Sequence, residues 1–263
     1  MTQPLDGARL KIIRAQEHLD SLKAEVRMYL DTQPQVIRSK PARSELGGRI
    51  NSAPIQELET VVPGAPPVRL SAIIGDCVTN ARAALDYIAW ELAQKYFSPR
   101  LDVKKNPGDK KLASFPILQK PASLKKYLND LKNRKMPTKV IKEIEASQPY
   151  NTGYESLLWL RELVNTDKHR MLLLTTGEFD YMTVTLATPA IYQDLIKQPV
   201  TLTIPRSRAA KEPPLQSDVQ MKGEVSIYVT WADAALPREP VDKTLDDIVK
   251  CVATTTPKFD GCF

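Results

Sequence analysis

Histidine is almost missing from this chain: His18 and His169 are the only two in 263 residues. Cysteine is nearly as scarce. Cys77, Cys251 and Cys262 make an odd count with no C-x-x-C pair, which argues against a disulfide framework and fits reduced thiols. With so few imidazoles and thiols, His/Cys metal sites are poorly supplied. Only a carboxylate site of the magnesium kind, which leaves a weak signature, stays open, and no cofactor is expected. No apolar run approaches the roughly 18 residues that span a bilayer. The opening MTQPLDGARLK is polar and lacks a signal-peptide core, so the expected setting is cytoplasmic with no membrane partner. There is no phosphate-cradling Gly-rich loop, no G-x-S-x-G elbow and no H-E-x-x-H.

What is present is ordinary in amount and uneven in placement. Hydrophobic residues make up 42% and charged residues 26%, as in a globular protein. The 21 prolines predict long irregular connections. The net charge of +6 is concentrated: residues 100–142 hold 13 Lys and Arg against three Asp, and the remainder is slightly acidic. A basic band on a near-neutral body suggests contact with a polyanion, because Lys and Arg neutralise phosphates and release counterions. Lys125, Lys126, Lys132, Arg134 and Lys135 are the expected RNA-binding residues. The plainer alternative is a solvated lysine-rich surface.

Hydrophobic periodicity sets out the elements. Residues Leu5–Leu30 are expected as a helix with Leu5, Ile12, Leu19, Leu22, Val26 and Leu30 inward. His18, beside that stripe, reads as a surface or packing residue. Thr32–Pro67 reads as irregular, with Val36–Arg38 and Glu57–Val62 able to pair as a hairpin. A long helix follows from Ser71, placed at its N-cap, to Phe97. On it, Asp76, Asn80 and Tyr87 share one stripe and Arg82 and Asp86 another. At ~100° per residue the two stripes are too far apart to meet at one point. Arg82–Asp86 has the spacing of an intrahelical ion pair. Asn106–Asp109 reads as a turn or loop, and Phe115–Ile117 as an apolar anchor. Ser123–Leu131 and Pro137–Ala146 read as short helices, and Gln148–Gly153 as a loop. After residue 171 the period changes from helical to alternating. Leu172–Thr176, Tyr181–Ala187, Val200–Ile204 and Glu224–Trp231 predict three or four antiparallel strands, with Arg206–Gln220 an exposed loop. Asp242–Ala253 is expected to be a helix and Thr254–Phe263 an irregular tail.

The stretch Tyr154–Leu174 carries the candidate chemistry. Arg161, Asn165 and His169 step by four along one helix side, with Lys168 beside them and Leu172 on the same side. Leu157, Leu160, Val164 and Met171 form a partly overlapping apolar stripe, and Asp167 and Arg170 project elsewhere. The row offers a group that titrates near neutrality, a fixed cation and an orienting amide. It is equally the composition of a polar network that locks two helices together. Lys168, His169 and Arg170 also suit a helix end, where cations oppose the macrodipole.

The motifs IIGDCVTNARAALDYIAWEL, FPI, QPY and LLWLRELVNTDKHRMLLL resemble a widespread bacterial family of uncharacterised proteins. Its members read close to GDALHNLRSALDHLAWQL and then N-x-DKHR. The likeness covers roughly residues 66–175 and implies no activity. Thr79 and Tyr87 stand where that pattern has histidines, so a chemical role for those histidines in relatives would be altered here. Paired helices bearing Asn, Arg and His also resemble the HEPN superfamily, many of whose members are metal-independent ribonucleases of toxin–antitoxin and phage-defence systems. Their signature places an Arg shortly before a His. Here seven residues separate Arg161 from His169, and Glu162 follows the Arg.

The expectation is therefore one α+β domain over 1–263: a HEPN-like helical bundle, mainly 1–171, a β-rich part over 172–240 forming an appended antiparallel sheet, and a C-terminal helix over 241–254. The HEPN resemblance implies an endoribonuclease in which His169 acts as general acid or base on a ribose 2′-OH. Arg161 and Lys168 would stabilise phosphate charge, with Asn165 orienting either the imidazole or the substrate. Asp76, Asn80, Arg82 and Asp86 are the candidates for support from the facing helix, with Asp167 and Arg170 flanking the row. RNA is the expected partner, and an incomplete bundle with bare apolar faces makes a homodimer plausible. The alternative is a non-enzymatic binding or regulatory module in which the Arg/Asn/His cluster pairs helices.

Overall fold

A computed structural model describes residues 3–32, 37–41, 56–60, 65–97, 107–186, 200–205, 221–233 and 236–263, with backbone alone for 37–41, 56–60, 177–186, 200–205 and 221–227. The chain is α+β and divides into two compact units. The first holds residues 1–27, 67–174 and 231–263, and the second 28–66 and 175–230.

The first unit is helical. α1 (Asp6–Asp31) opens with the Asp6 carboxylate accepting the Gln3 N–H at 2.7 Å, which satisfies a donor just ahead of the first turn and puts negative charge at the dipole's positive end. Leu5, Leu19, Leu22 and Val26 are buried as the periodicity predicts, and Ala8 and Ala15 complete the stripe. Ile12 and Leu30 are only half-buried.

α2 (Val68–Phe97) is the longest element, and its buried face includes Ile74, Cys77, Val78, Ala81, Leu85, Ile88 and Leu92. It begins three residues before the expected cap. Ser71 lies in its first turn, buried, and its hydroxyl donates to the Leu172 carbonyl at 2.6 Å. The prolines at 66 and 67 start the helix directly, which leaves Ser71 free to bond across helices. α1 lies along α2, and Cys77 Sγ donates to the Ala15 carbonyl at 3.3 Å. Burial pushes this thiol up to about 12. All three cysteines are free and buried.

The chain then forms α3 (Pro107–Leu112), α4 (Pro121–Asn133), α5 (Thr138–Ala146) and α6 (Ser156–His169). α3 corrects the expected turn at Asn106–Asp109. Pro at the first helical position and Asp in the first turn are helix-start signals as well as turn signals. The buried Asp109 carboxylate takes an ion pair from Arg134 that anchors the short helix. α7 (Val241–Thr255) packs against both α2 and α6, with Leu245, Ile248 and Val252 inward as expected. The expected irregular tail is instead a 3-10 helix, Thr256–Cys262. Its order follows from Phe259, which is fully buried and meets Phe115 edge-on with ring centroids 5.9 Å apart.

The second unit holds both sheets. β1 (Ile37–Pro41) and β2 (Gln56–Thr60) pair antiparallel with Ile37 opposite Thr60, close to the expected hairpin. β3 (Leu174–Leu186) is one strand where two were expected, running unbroken through Gly177. β4 (Val200–Pro205) pairs antiparallel with it, Leu186 opposite Val200, and β5 (Met221–Trp231) lies on its other side in the order β4-β3-β5. The expected loop Arg206–Gln220 falls outside the described residues. Among the described residues no helix is long and apolar enough to cross a membrane.

α1 and α7 are joined by Lys23 Nζ to Asp246 Oδ1 at 3.0 Å, with Lys250 on the other carboxylate oxygen. Burial alone raises the Asp246 carboxyl, but the hydrogen bonds and charges of Lys250 and Lys23 outweigh it and hold it below the usual range. A lowered carboxylate adds stability that is present above its unfolded value near 3.9 and lost as pH falls through the folded value. Asp246→Asn is expected to cost about 1 kcal/mol at neutral pH. The gap between variant and wild-type melting temperatures should narrow as the pH is taken below about 4. A gap constant from pH 7 to 2 would refute this assignment.

Candidate functional site

The polar side chains singled out in the sequence sort into two groups, and the larger grips a piece of backbone. The segment Phe115–Leu118 crosses the interior without regular structure, and its first three residues are buried. A buried irregular segment must find partners for its amides, or each unmet group costs about 1–3 kcal/mol. Side chains supply them. Asp86 Oδ1 accepts the Phe115 N–H at 3.0 Å, and Arg82 Nη2 donates to the Phe115 carbonyl at 2.7 Å. Gln148 Nε2 donates to the Pro116 carbonyl at 3.0 Å, and its Oε1 accepts the Leu118 N–H at 3.1 Å. Arg161 Nη1 reaches the Ile117 carbonyl at 3.4 Å.

The clamp is internally braced. Arg82 and Asp86 form the expected intrahelical pair, bidentate at 2.7 and 3.1 Å. Gln148 is fully buried, and its amide also donates to Ile144 O at the end of α5. Arg161 is held by Glu162 through Nε and Nη2 at 3.0 and 2.6 Å. Tyr127 closes the space beside Asp86. Burial first, then the Asp86 charge, push its hydroxyl well above the usual phenol range, partly offset by Arg82. Two of the four residues expected to support the row from α2, and one of the expected catalytic residues, therefore serve this clamp. Gln148 was read in the sequence as part of a loop and as the first residue of the QPY motif, without a role of its own. Both ends of its contact, FPI and QPY, stood among the motifs of the resemblance, but nothing local shows that they meet.

The second group lies at the C-terminal end of α6. Asn165, Lys168 and His169 are exposed and have no partner among the described residues. Arg161 points away from them, and the helical rise sets its Cα ~12 Å from that of His169 along the axis. The expected row is thus divided. Asp167 turns onto α2, where its carboxylate rests against Gly75. A Cβ placed at Gly75 would lie 2.5 Å from Asp167 Oδ1, so a larger residue there would push the carboxylate aside. Arg170 ends the helix in an extended conformation and pairs with Asp233 at 3.0 Å. Because the helix stops at His169, the helical register stops too. Met171, expected inward, is 52% exposed, and Leu172, expected on the polar side, is 2% exposed. On α2, Asp76 is exposed, and Asn80 accepts from Lys11 of α1 at 3.1 Å. Neither joins His169. Among the described residues no three His, Cys, Asp or Glu side chains come together to hold a metal.

The basic band splits in the same way. The inward residues of α4 are Leu124, Tyr127, Leu128 and Leu131. Lys125, Lys126, Lys132 and Lys135 stay exposed. Arg134 differs from them. It pairs with Asp109 and lies over the Phe97 ring, 5.6 Å from its centroid. Lys135 holds φ of +63° at the C′ position of a Schellman turn, with Met136 N–H donating to Leu131 O, where glycine is the favoured residue.

Stability separates the two groups. Gln148→Leu removes an amide that satisfies three buried backbone groups and is expected to cost about 3 kcal/mol, or roughly 6–12 °C in melting temperature. His169→Ala touches an exposed side chain and is expected to stay within ~0.5 kcal/mol. Thermal melts of both variants decide this. A large loss for His169→Ala would mean the imidazole belongs to the fold.

Comparisons with protein-family models, curated proteins and solved structures each return no match to this chain.

Proposed function

We propose that this chain is a non-enzymatic module that binds a polyanion, RNA being the class its charge pattern fits, and that Arg82, Asp86, Gln148 and Arg161 serve the fold. One observation carries the reading: Lys125, Lys126, Lys132 and Lys135 are all exposed along α4 and its C-terminal turn. Among the described residues none of them takes part in an ion pair. The conformation of Lys135 adds to this. A non-glycine residue at positive φ costs of order 1 kcal/mol, and such a cost points toward a use for the side chain. Uncommitted cations on one surface supply affinity for phosphates without regard to sequence.

The ribonuclease reading rests on a different observation. His169 is exposed with Lys168 and Asn165 beside it, so the imidazole is open to a ligand. α2 and α6 run antiparallel where they touch, Ser71 meeting Leu172 and Gly75 meeting Asp167, and such a helix pair supports a HEPN-like bundle. The commitment of Arg161 to Ile117 and Glu162 weighs against it. A homodimer is supported by Leu10 and Ile13 of α1 and Tyr87 and Trp90 of α2, all exposed.

Fluorescence anisotropy with a labelled single-stranded RNA tests the main reading. Affinity is expected to fall steeply with salt. Changing the four lysines 125, 126, 132 and 135 to Glu should weaken binding and make the log–log salt slope shallower by roughly 3. Unchanged binding in that variant sinks the proposal. Incubating wild type and His169→Ala with mixed RNA in EDTA tests the other. Cleavage by wild type alone would replace the binding-module reading with the enzymatic one.

Lys135→Gly provides an independent check on the turn. It is expected to raise stability by about 1 kcal/mol while weakening RNA binding. A stability gain without any change in binding would remove Lys135 from the proposed surface.

A further inference from the structure

A concavity of about 430 Å³ opens beside the lysine surface, between the end of α3 and the start of α4. Its apolar floor is Phe115, Pro116, Leu118 and Tyr127, and its polar side is Lys111, Ser114 and Ser123. The floor is rigid because the backbone from Phe115 to Leu118 is held by Arg82, Asp86, Gln148 and Arg161. Tyr127 is fixed as well, its hydroxyl lying 3.4 Å from the carbonyls of Leu112 and Ser114. One cation, Lys111, lines the concavity and a second is exposed on the neighbouring surface of α4. Lys126 is exposed on the same side of α4, three residues after Ser123 and one before Tyr127.

The volume is in the range of small-molecule sites, which are mostly apolar with a few placed polar groups. A flat ring with a hydrogen-bonding edge and an attached phosphate matches all three parts: an apolar floor, the exposed Ser123 hydroxyl and flanking ammonium groups. A base inside a duplex is stacked on both faces and paired at its edge, so only an unstacked base can enter. Lys125 and Lys132 lie across the exposed face of α4 from Ser123, at ~100° per residue, and Lys135 follows in its C-terminal turn, so the phosphates of neighbouring nucleotides would cross that face on leaving the pocket. A free mononucleotide would make no use of them.

We propose that the concavity between α3 and α4 receives one unstacked nucleobase of a single-stranded nucleic acid, with Lys111 and Lys126 on its flanking phosphates. The inference rests on the polyanion-binding reading and adds a preference for single strands to it.

The test compares three probes on the full chain: a short single-stranded RNA, the same RNA annealed to its complement, and inorganic polyphosphate. Wild type is expected to bind the single strand at least tenfold tighter than the duplex. Ser123→Trp places an indole in the concavity from an exposed position. It is expected to lower single-strand affinity about tenfold, the order of one lost stacked base, and to leave polyphosphate binding unchanged. The smaller Ser123→Leu should give a partial loss, and melting curves of both variants confirm that the fold is intact. Equal wild-type binding of single strand and duplex, or single-strand binding untouched by Ser123→Trp, overturns the inference while leaving the polyanion reading in place. No binding of any of the three probes overturns both.

Discussion

Four side chains that take the place of a missing strand partner hold the helical unit together. Phe115–Leu118 runs through the interior with no ladder to join, and Arg82, Asp86, Gln148 and Arg161 meet its backbone groups one by one. Burying charged groups is costly unless they are paired and hydrogen-bonded, and here each cation has a carboxylate as well as a carbonyl. Arg82 has Asp86 and Arg161 has Glu162. The clamp also gathers α2, α6 and the end of α5 around one point. Phe115, held there, is what Phe259 packs against, so the order of the C-terminal 3-10 helix depends on it too.

The helices were legible because their signal is local and repetitive. α1, α2, α4, α5, α6 and α7 each have an apolar stripe at helical spacing, and their observed limits lie within a few residues of the expected ones. Features that depend on distant partners were not legible. Asp109 next to Pro and Gly reads as a turn, and only Arg134, a whole helix away, makes it a buried anchor. Phe259 in a polar tail gives no period to detect, and its order comes from Phe115. Met171 and Leu172 exchanged roles because the helical register was carried three residues too far, past a helix that stops at His169. The candidate site failed in a related way. Spacing by four places Arg161, Asn165 and His169 on one side of a helix, but an arginine is long enough to choose its partner. Arg161 points back toward Ile117, along the direction in which helical side chains lean.

The division of polar residues matches their surroundings. Those facing the interior are paired, mutually oriented and occupied with backbone. Those on the outer faces of α4 and at the end of α6 have no such obligations. Of the expected row, Asn165, Lys168 and His169 stay together at the exposed end of α6, and only Arg161 is drawn off to the backbone of Ile117.

Gly75 has a consequence for how α2 and α6 are aligned. Glycine inside a long helix sacrifices about 1 kcal/mol of intrinsic helix propensity, so α2 is locally weaker where it bears the Asp167 carboxylate. In return the Asp167 side chain seats where a Cβ would stand, and the bare site acts as a notch. A carboxylate seated in a notch resists sliding along the axis as well as separation. Ser71, one turn earlier on α2, then catches the chain at Leu172 just after it leaves α6. Together the notch and the hydroxyl hold the end of α6 and the chain that leaves it against the first turns of α2.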